Sequence, residues 1–451
     1  MAAQLELDQT FFVELLGKLI GETYHLQNRP PDFIPQEDKA GRHVLSALEP
    51  YRVENGGVLR IKHIHYAEHR GNIIIEYPAA KPAVAKDVSS VAFVGSHLDV
   101  VYANPETWER DPFKLTVEGD KLYGRGSTDC LGHCALLTDL FKQLAETKPQ
   151  LSVSVFGVLI VDEESGGRLP IGVDELMKHG ELDAMKNGPL VWLDCADAQP
   201  NIGSGGLCQW ELKVKGKLCH SGFPNKGVNA LEMASDLIIQ VQKKFYERFP
   251  PHEREEEYGF PCSSSLKPTQ IAVPESGINQ IPGECTVKGD IRLIPFYSIK
   301  DAVKVVDDAV AQLREERFES LHQMAHRGPD ARYVLKKREG DDEPAVFEWK
   351  WLCEPVQGIA CHLDSLGFKS LAQATQEIIG EVKPLADTGT LPLVADLQAG
   401  GFDVQTVGYG DEEAYHADNE FALLSSFVKG FKVLARIIDL VDSRASAQPQ
   451  Q

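Results

Sequence analysis

Two imidazoles and six carboxylates recur at the ends of apolar runs in this chain. His97 and Asp99 follow the run VAFVGS, Asp162, Glu163 and Glu164 follow SVFGVLIV, and Asp194 closes LVWLD. Asp129 lies in GRGSTD just ahead of a leucine-rich segment, and His416 lies in EEAYHADNE just ahead of the last apolar segment. Any one of these clusters is ordinary surface sequence. Together they form a donor pool of imidazole and carboxylate without thiolate, which suits Zn²⁺ or a neighbouring divalent ion, and which is large enough for two metals. His97 and Asp99 fall on one face of an extended strand, so Asp99 can hold the ring nitrogen that His97 does not give to metal. Glu163 and Glu164 are adjacent and point different ways, so one can bind metal while the other moves a proton. Hydrolysis by metal-activated water needs that division of labour.

Such residues act together only if the fold gathers them. The runs around Val91 and Ser152–Val161, and the shorter LVWLD, read as strands buried on both faces, the mark of a parallel sheet. Leu136, Leu137, Leu140, Phe141 and Leu144 recur with helical spacing between the first two, completing a strand–helix–strand unit. In open sheets of this kind ligands bind beyond the carboxyl ends of the strands, where the clusters lie. After Gly205-Gly206 the texture changes to β-α-β-β-α-β: QWELKVKGK, NALEMASDLIIQVQKKF, TQIAVP, CTVKGDIRLI, SIKDAVKVVDDAVAQLREERF and AVFEWKWLCEP. This order predicts a ferredoxin-like domain inserted at residues 207–355, between a first domain's parts at residues 1–206 and 356–451. LAQATQEIIGE, the helix LPLVADLQAGG with its glycine stop, the strand DVQTVGY and a final helix return to the α/β style. The stretch KKREGDDEP reads as a solvated loop and the tail RASAQPQQ as disordered. HIHYAEHRGNIIIEY reads as strand, turn, strand with His63, His65 and His69 facing solvent, and Cys130 and Cys134 as packed thiols.

Composition narrows the function classes. The 451 residues are 43% apolar and 25% charged, which is globular usage with room for two or three lobes. Forty-six basic against sixty-seven acidic side chains give a net charge of −21, a surface that repels nucleic-acid backbones and anionic membranes. No window approaches the roughly 20 apolar residues of a membrane span. The N-terminus reads as an amphipathic helix and not as a signal segment. Nine scattered cysteines point to a reducing, cytoplasmic compartment.

The ordered strings GSHLDVV, WERDPF, KLYGRGSTDCLG, VDEESGG, LDCAD, GKLCHSGFPNKGVNAL, NQIPGECTVKGDIRLIP and YHADNE carry a resemblance from Gly95 to Glu420. The chain resembles the acetylornithine deacetylase and succinyl-diaminopimelate desuccinylase family of co-catalytic zinc aminoacylases and exopeptidases. LPLVADLQAGGFDVQTVGYGDEEAYHADNE looks most like its eukaryotic, plant-type branch. The resemblance implies a zinc-exopeptidase-like catalytic domain, an inserted lid and dimerisation domain, and a homodimer. It implies removal of the acetyl group from N2-acetyl-L-ornithine in arginine biosynthesis, giving ornithine and acetate. Two divalent ions are implied, zinc with cobalt or manganese as options. His97 and Asp194 would bind one ion and Glu164 and His416 the other, with Asp129 bridging. Asp99 would support His97, and Glu163 would be the general base. His220 would polarise the scissile carbonyl from a partner subunit, and Asn279 and Arg292 would meet the substrate carboxylate. Thr388, Gly389 and Thr390 would belong to a loop that closes over substrate.

The chain departs from the pattern in two places. Cys130-Leu131-Gly132-His133 stands where many relatives carry Lys or Met and then Gly-Gly, and Asp194 stands where bacterial relatives carry Glu, with Asp197 as a rival for that position. Three other readings compete with the deacetylase. A dipeptidase or another N-acyl-amino-acid hydrolase shares the metal chemistry. A catalytically inactive binding protein on the same fold would have lost a ligand or the base, and no such loss is seen. A two-metal phosphoesterase would need a basic phosphate clamp, which is missing.

Overall fold

A computed structural model of the chain describes residues 2–164, 169–325, 327–329, 332–335, 342–391 and 393–447. Ser165 to Gly167 of the VDEESGG string, most of KKREGDDEP and the last four residues lie outside the described residues. The tail is not disordered from its start, because Arg444 to Ser446 extend the final helix.

The elements that matter are, in chain order, α1 (Gln9–Ile20), α2 (Asp38–Leu48), β1 (Arg60–Ala67), β2 (Arg70–Tyr77), β3 (Ser90–Val94), α3 (Leu131–Thr147), β4 (Ser154–Leu159) and β5 (Pro189–Leu193). They continue with β6 (Gly206–Lys215), α4 (Ala230–Arg248), β7 (Ser265–Ala272), β8 (Glu284–Leu293), α5 (Ile299–Glu315), β9 (Val346–Trp351), α6 (Leu366–Ile379), β10 (Asp403–Val407) and α7 (Leu424–Ser446). The chain divides into two compact units, Met1–Ile202 with Cys361–Leu385 and Pro392–Gln451, and Gly203–Ala360 with Ala386–Leu391. The second unit takes in the distant segment Ala386–Leu391 as well as the continuous stretch Gly203–Ala360.

In the first unit the sheet runs β1-β2-β4-β3-β5-β10, with short strands beyond β10. β3 is parallel to β4 and β5, and β10 is parallel to β5, while β1 and β2 form an antiparallel hairpin at one edge. β3 and β5 are buried at every position, as apolar runs without alternation require. α3 is buried almost throughout because it packs among α1, α2, α7 and the sheet, so its leucines show more than one apolar face. Gly95, with φ +99°, ends β3 where a Cβ would lie 2.4 Å from the Trp192 ring. Only glycine lets the chain turn there toward His97.

The second unit is an antiparallel sheet in the order β7-β8-β6-β9 with α4 and α5 packed on it, the ferredoxin-like arrangement expected from the order of its elements. Its core centres on Trp210 stacked on Trp349 at 4.6 Å. Buried Asp236 accepts from the Tyr333 hydroxyl at 2.6 Å, from Arg332 at 2.8 Å and from the backbone of Gln323 and Met324, tying the segment between α5 and β9 to α4.

Candidate metal centre

The carboxyl ends of β3, β4 and β5 bring the predicted donors together. Beyond β3, His97 makes a parallel bridge to Ile160 past the end of β4, and beyond β5, Ala196 makes one to Gly410 past the end of β10. His97 is fully buried. Its Nε2 lies 2.8 Å from Asp129 Oδ1 and 3.5 Å from Asp194 Oδ1. The other oxygen of Asp129 lies 3.1 Å from His416 Nε2, which is itself 3.2 Å from Glu164 Oε2. One carboxylate is therefore shared by two donor sets, His97–Asp129–Asp194 and Asp129–Glu164–His416, each compact enough to hold an ion. The Cys130 thiol joins the first set, but burial and the charge of Asp194 push its pKa well up and keep it protonated.

Asp99 meets the outer nitrogen of His97 more closely with its main chain than with its side chain. The outward His97 Nδ1–H donates to the backbone carbonyl of Asp99 at 2.8 Å, and the Asp99 carboxylate is farther, at 3.5 Å. That carboxylate instead accepts from the backbone amides of Glu163 at 3.2 Å and Glu164 at 3.0 Å, and from Asn28 at 2.8 Å. Residue 99 thus orients His97 through its main chain and the glutamate pair through its side chain. Asn28 also donates to Asp162, which pairs with buried Arg70, and Arg70 pairs in turn with buried Glu37. Asp162 itself sits at φ +62°, so the turn into the two glutamates is held in a conformation that non-glycine residues rarely adopt.

The structure also separates Asp194 from its rival. Asp194 is buried beside His97, whereas Asp197 is exposed and accepts from the backbone of Glu412 at 3.2 Å. The Tyr415 hydroxyl donates to the Asp194 carbonyl at 2.7 Å and ties the His416 loop to the end of β5.

Sequence reasoning missed Glu420, although it stands at the end of the YHADNE string. Fully buried, it accepts from Arg125 at 2.7 Å and from the backbone amides of Gly126 at 3.0 Å, Thr128 at 2.9 Å and Asp129 at 3.0 Å. This single carboxylate fixes the loop that presents Asp129. Its only sequence sign was an acidic residue in the same string as a candidate ligand.

Charge and unmet valence give the test of fit for cations. Burial, reinforced by the negative charge of Asp194, raises the Glu163 carboxyl well above its ordinary range. Burial and Asp129 raise Glu164 to about 7, and burial raises Asp194. Hydrogen bonds to Asp129 and Glu164 lift His416 to about 10. Burial opposes a charge on His97, but Asp194 and its other anionic neighbours outweigh it and hold the ring well above its ordinary value. Asp194 Oδ1 and Glu164 Oε1 are buried without a hydrogen-bond donor among the described residues. Four buried carboxylates facing two imidazoles, with two acceptor atoms unpartnered, call for positive charge inside the cluster, and divalent cations fit it.

In the second unit the predicted residues fall into two neighbouring pairs. His220 pairs with Gln280 across a two-residue ladder, and Ser221 donates to the Asn279 carbonyl at 2.8 Å. His220 is exposed, and its Nδ1 accepts from Gly222 at 3.0 Å. Arg292 donates to Asp290 at 3.0 Å and to Thr390 Oγ1 at 3.2 Å. Gly389 accepts from Gly205 at 2.6 Å, and the Thr388 hydroxyl lies 3.6 Å from the Cys262 thiol. The loop 387–390 is therefore built against the start of β6.

Residues 93–440 match the model of Peptidase family M20/M25/M40. The chain is 49% identical over 446 residues to an acetylornithine deacetylase of Dictyostelium discoideum, covering 98% of both chains. It is 48% identical over 438 residues to an acetylornithine deacetylase of Arabidopsis thaliana, covering 97% of this chain and 96% of that one. Among solved structures, the di-peptidase Dug1p of Saccharomyces cerevisiae shares the fold at a TM-score of 0.66 and 15% identity, over 96% of each chain.

Proposed function

The chain belongs to peptidase family M20/M25/M40, and on that footing we propose that it hydrolyses N2-acetyl-L-ornithine to L-ornithine and acetate, a step of arginine biosynthesis. The observation that carries the chemistry is the Asp129 carboxylate shared between two imidazole–carboxylate sets. Two near-full-length relatives of about half identity support the substrate.

His97 and Asp194 would hold one divalent ion, Glu164 and His416 a second, and Asp129 both. The donor set favours zinc, with cobalt or manganese as alternatives. When bound, such ions acidify water and polarise an amide carbonyl. Glu163 takes the proton of the attacking water on its carboxylate and delivers it to the departing amine nitrogen. Its burial suits it to hold that proton between the two transfers. Asp99 keeps the Glu163 and Glu164 backbones in register through its two amide contacts. In the second unit Arg292, with Thr390 beside it, offers a guanidinium matched to an α-carboxylate, Asn279 would meet the same carboxylate, and His220 would polarise the scissile carbonyl in a partner subunit. The edge strand β7, exposed over most of its length, supports a homodimer through that unit. Nine free cysteines support a cytosolic location.

The test is amine release from N2-acetyl-L-ornithine, measured before and after chelation and with zinc or cobalt restored, beside N-acetylmethionine and two dipeptides. Chelator-sensitive release favouring acetylornithine is expected. Preference for a dipeptide would overturn the substrate, and inert metal-loaded protein would overturn the hydrolase reading.

A further inference from the structure

A second convergence of metal-binding side chains lies at the sheet edge. His63 and His65 are two apart on β1 and share one face of the strand. His65 is exposed and His63 half-buried, and both rings turn toward Asp38, the first residue of α2. His65 Nε2 is 3.0 Å from each Asp38 oxygen, His63 Nε2 is 3.1 Å from Oδ1, and the ring centroids are 4.2 Å apart. One donor atom from each residue lies within 4.8 Å of the other two. His69, in the hairpin turn, takes no part and pairs with Glu68.

We propose that Asp38, His63 and His65 form a third divalent transition-metal site, of the zinc class, built from residues that the Asp129 cluster does not use. Four ligands about 2.0–2.1 Å from a tetrahedral ion stand about 3.3 Å apart, close to the imidazole–carboxylate spacings here. A plain ion pair accounts for the group poorly. His63 Nε2 is shielded from solvent and lies 3.1 Å from Asp38 Oδ1 outside good hydrogen-bond geometry, so this ring nitrogen points into the convergence.

The backbone is shaped for the group. His65 lies opposite Gly71 in the β1–β2 ladder, and a Cβ at Gly71 would fall 2.1 Å from His63 Nε2 and 2.7 Å from Asp38 Oδ1. The absent side chain is the space the donors occupy. The Gly71 amide also donates to Asp38 at 3.1 Å, and the Asp38 amide donates to the His69 carbonyl at 3.1 Å. Next in sequence, Glu37 and Arg70 form their buried ion pair, so helix start and hairpin are held rigidly before any ion arrives. All three side chains keep partial access to solvent, which leaves room for water to complete the coordination. A bound ion would staple the start of α2 to the edge hairpin and stabilise the folded state by mass action.

The experiment is metal analysis of tag-free, full-length protein, stripped of metal, loaded with Co²⁺ or Zn²⁺ and then dialysed. Wild type should retain one more equivalent per chain than His65→Gln, with acetylornithine turnover in the two agreeing within twofold. Gly71→Ala, which removes no donor, should lose the same equivalent, and the zinc-induced rise in unfolding temperature should shrink in both variants. The extra equivalent should also persist in Asp129→Ala, which separates this site from the hydrolytic one. Equal metal retention by wild type and by both folded variants would overturn the proposal, whatever the substrate proves to be.

Discussion

Replacing Glu420 by Gln should damage stability and metal retention together. Among the described residues Glu420 is the one carboxylate paired with buried Arg125, whose remaining contacts are a 3.4 Å hydrogen bond to the Tyr102 carbonyl and the Trp108 ring at 5.1 Å. Gln can still accept from the Thr128 and Asp129 amides, but its NH₂ group then faces two donors, Gly126 N–H and the guanidinium. Leaving a buried charge without its partner costs about 3–5 kcal/mol. For a unit of this size that is a fall of roughly 5–8 °C in unfolding temperature. Because the same carboxylate fixes the Asp129 loop, metal affinity should drop about 10–100-fold, the usual effect of disturbing a group that orients a ligand. Guanidinium denaturation followed by tryptophan fluorescence reads the first quantity, and titration of stripped protein with Co²⁺ reads the second. The double variant Glu420→Gln/Arg125→Met removes the stranded cation and should recover part of the stability without the metal affinity. A single variant as stable as wild type, or a double variant no better than the single one, would refute this account of the clamp.

Three further outcomes follow from the same geometry. Glu163→Gln should keep its metal and lose at least about 10²-fold in the rate of amine release, whereas Asp129→Ala should lose both metal and turnover; normal turnover by Glu163→Gln would remove it as the base. Arg292→Lys should raise KM for acetylornithine about tenfold or more with little change in kcat, since a lysine cannot reproduce a two-point grip on a carboxylate, and steady-state kinetics would show it. Burial raises the Asp139 carboxyl to about 6, above its ordinary 3.8, so its ionisation opposes folding. That penalty is absent below about pH 4, grows through pH 4–6 and is complete above 6. Asp139→Asn should therefore stabilise the protein by about 2 kcal/mol at pH 8 and by little at pH 4, and equal shifts at both pH values in thermal melts would contradict it.

Much of this molecule was legible along the chain because its signals are local. Apolar runs without alternation announced β3, β4 and β5, and helical spacing announced α3, since burial on two faces or one leaves its period in the sequence. The rule that parallel strands open their carboxyl ends to ligands then placed His97, Glu163, Glu164 and Asp194 on one rim before any distance was known. The β-α-β-β-α-β order gave the second unit in the same way. What remained for the tertiary structure were relations between residues far apart in the chain. Asp194 and Asp197 are chemically identical three positions apart, and only the bend after β5 buries one and exposes the other. Glu420 is an unremarkable acid until the fold aims three amides and a guanidinium at it from 291 or more residues away. That His63 and His65 meet at Asp38 was not legible along the chain, because Asp38 belongs to another element. Residue types and periodicity say which groups a chain owns and which face of an element they occupy. Electrostatic partnership depends on separations of about 3 Å, and those are set only when distant segments pack.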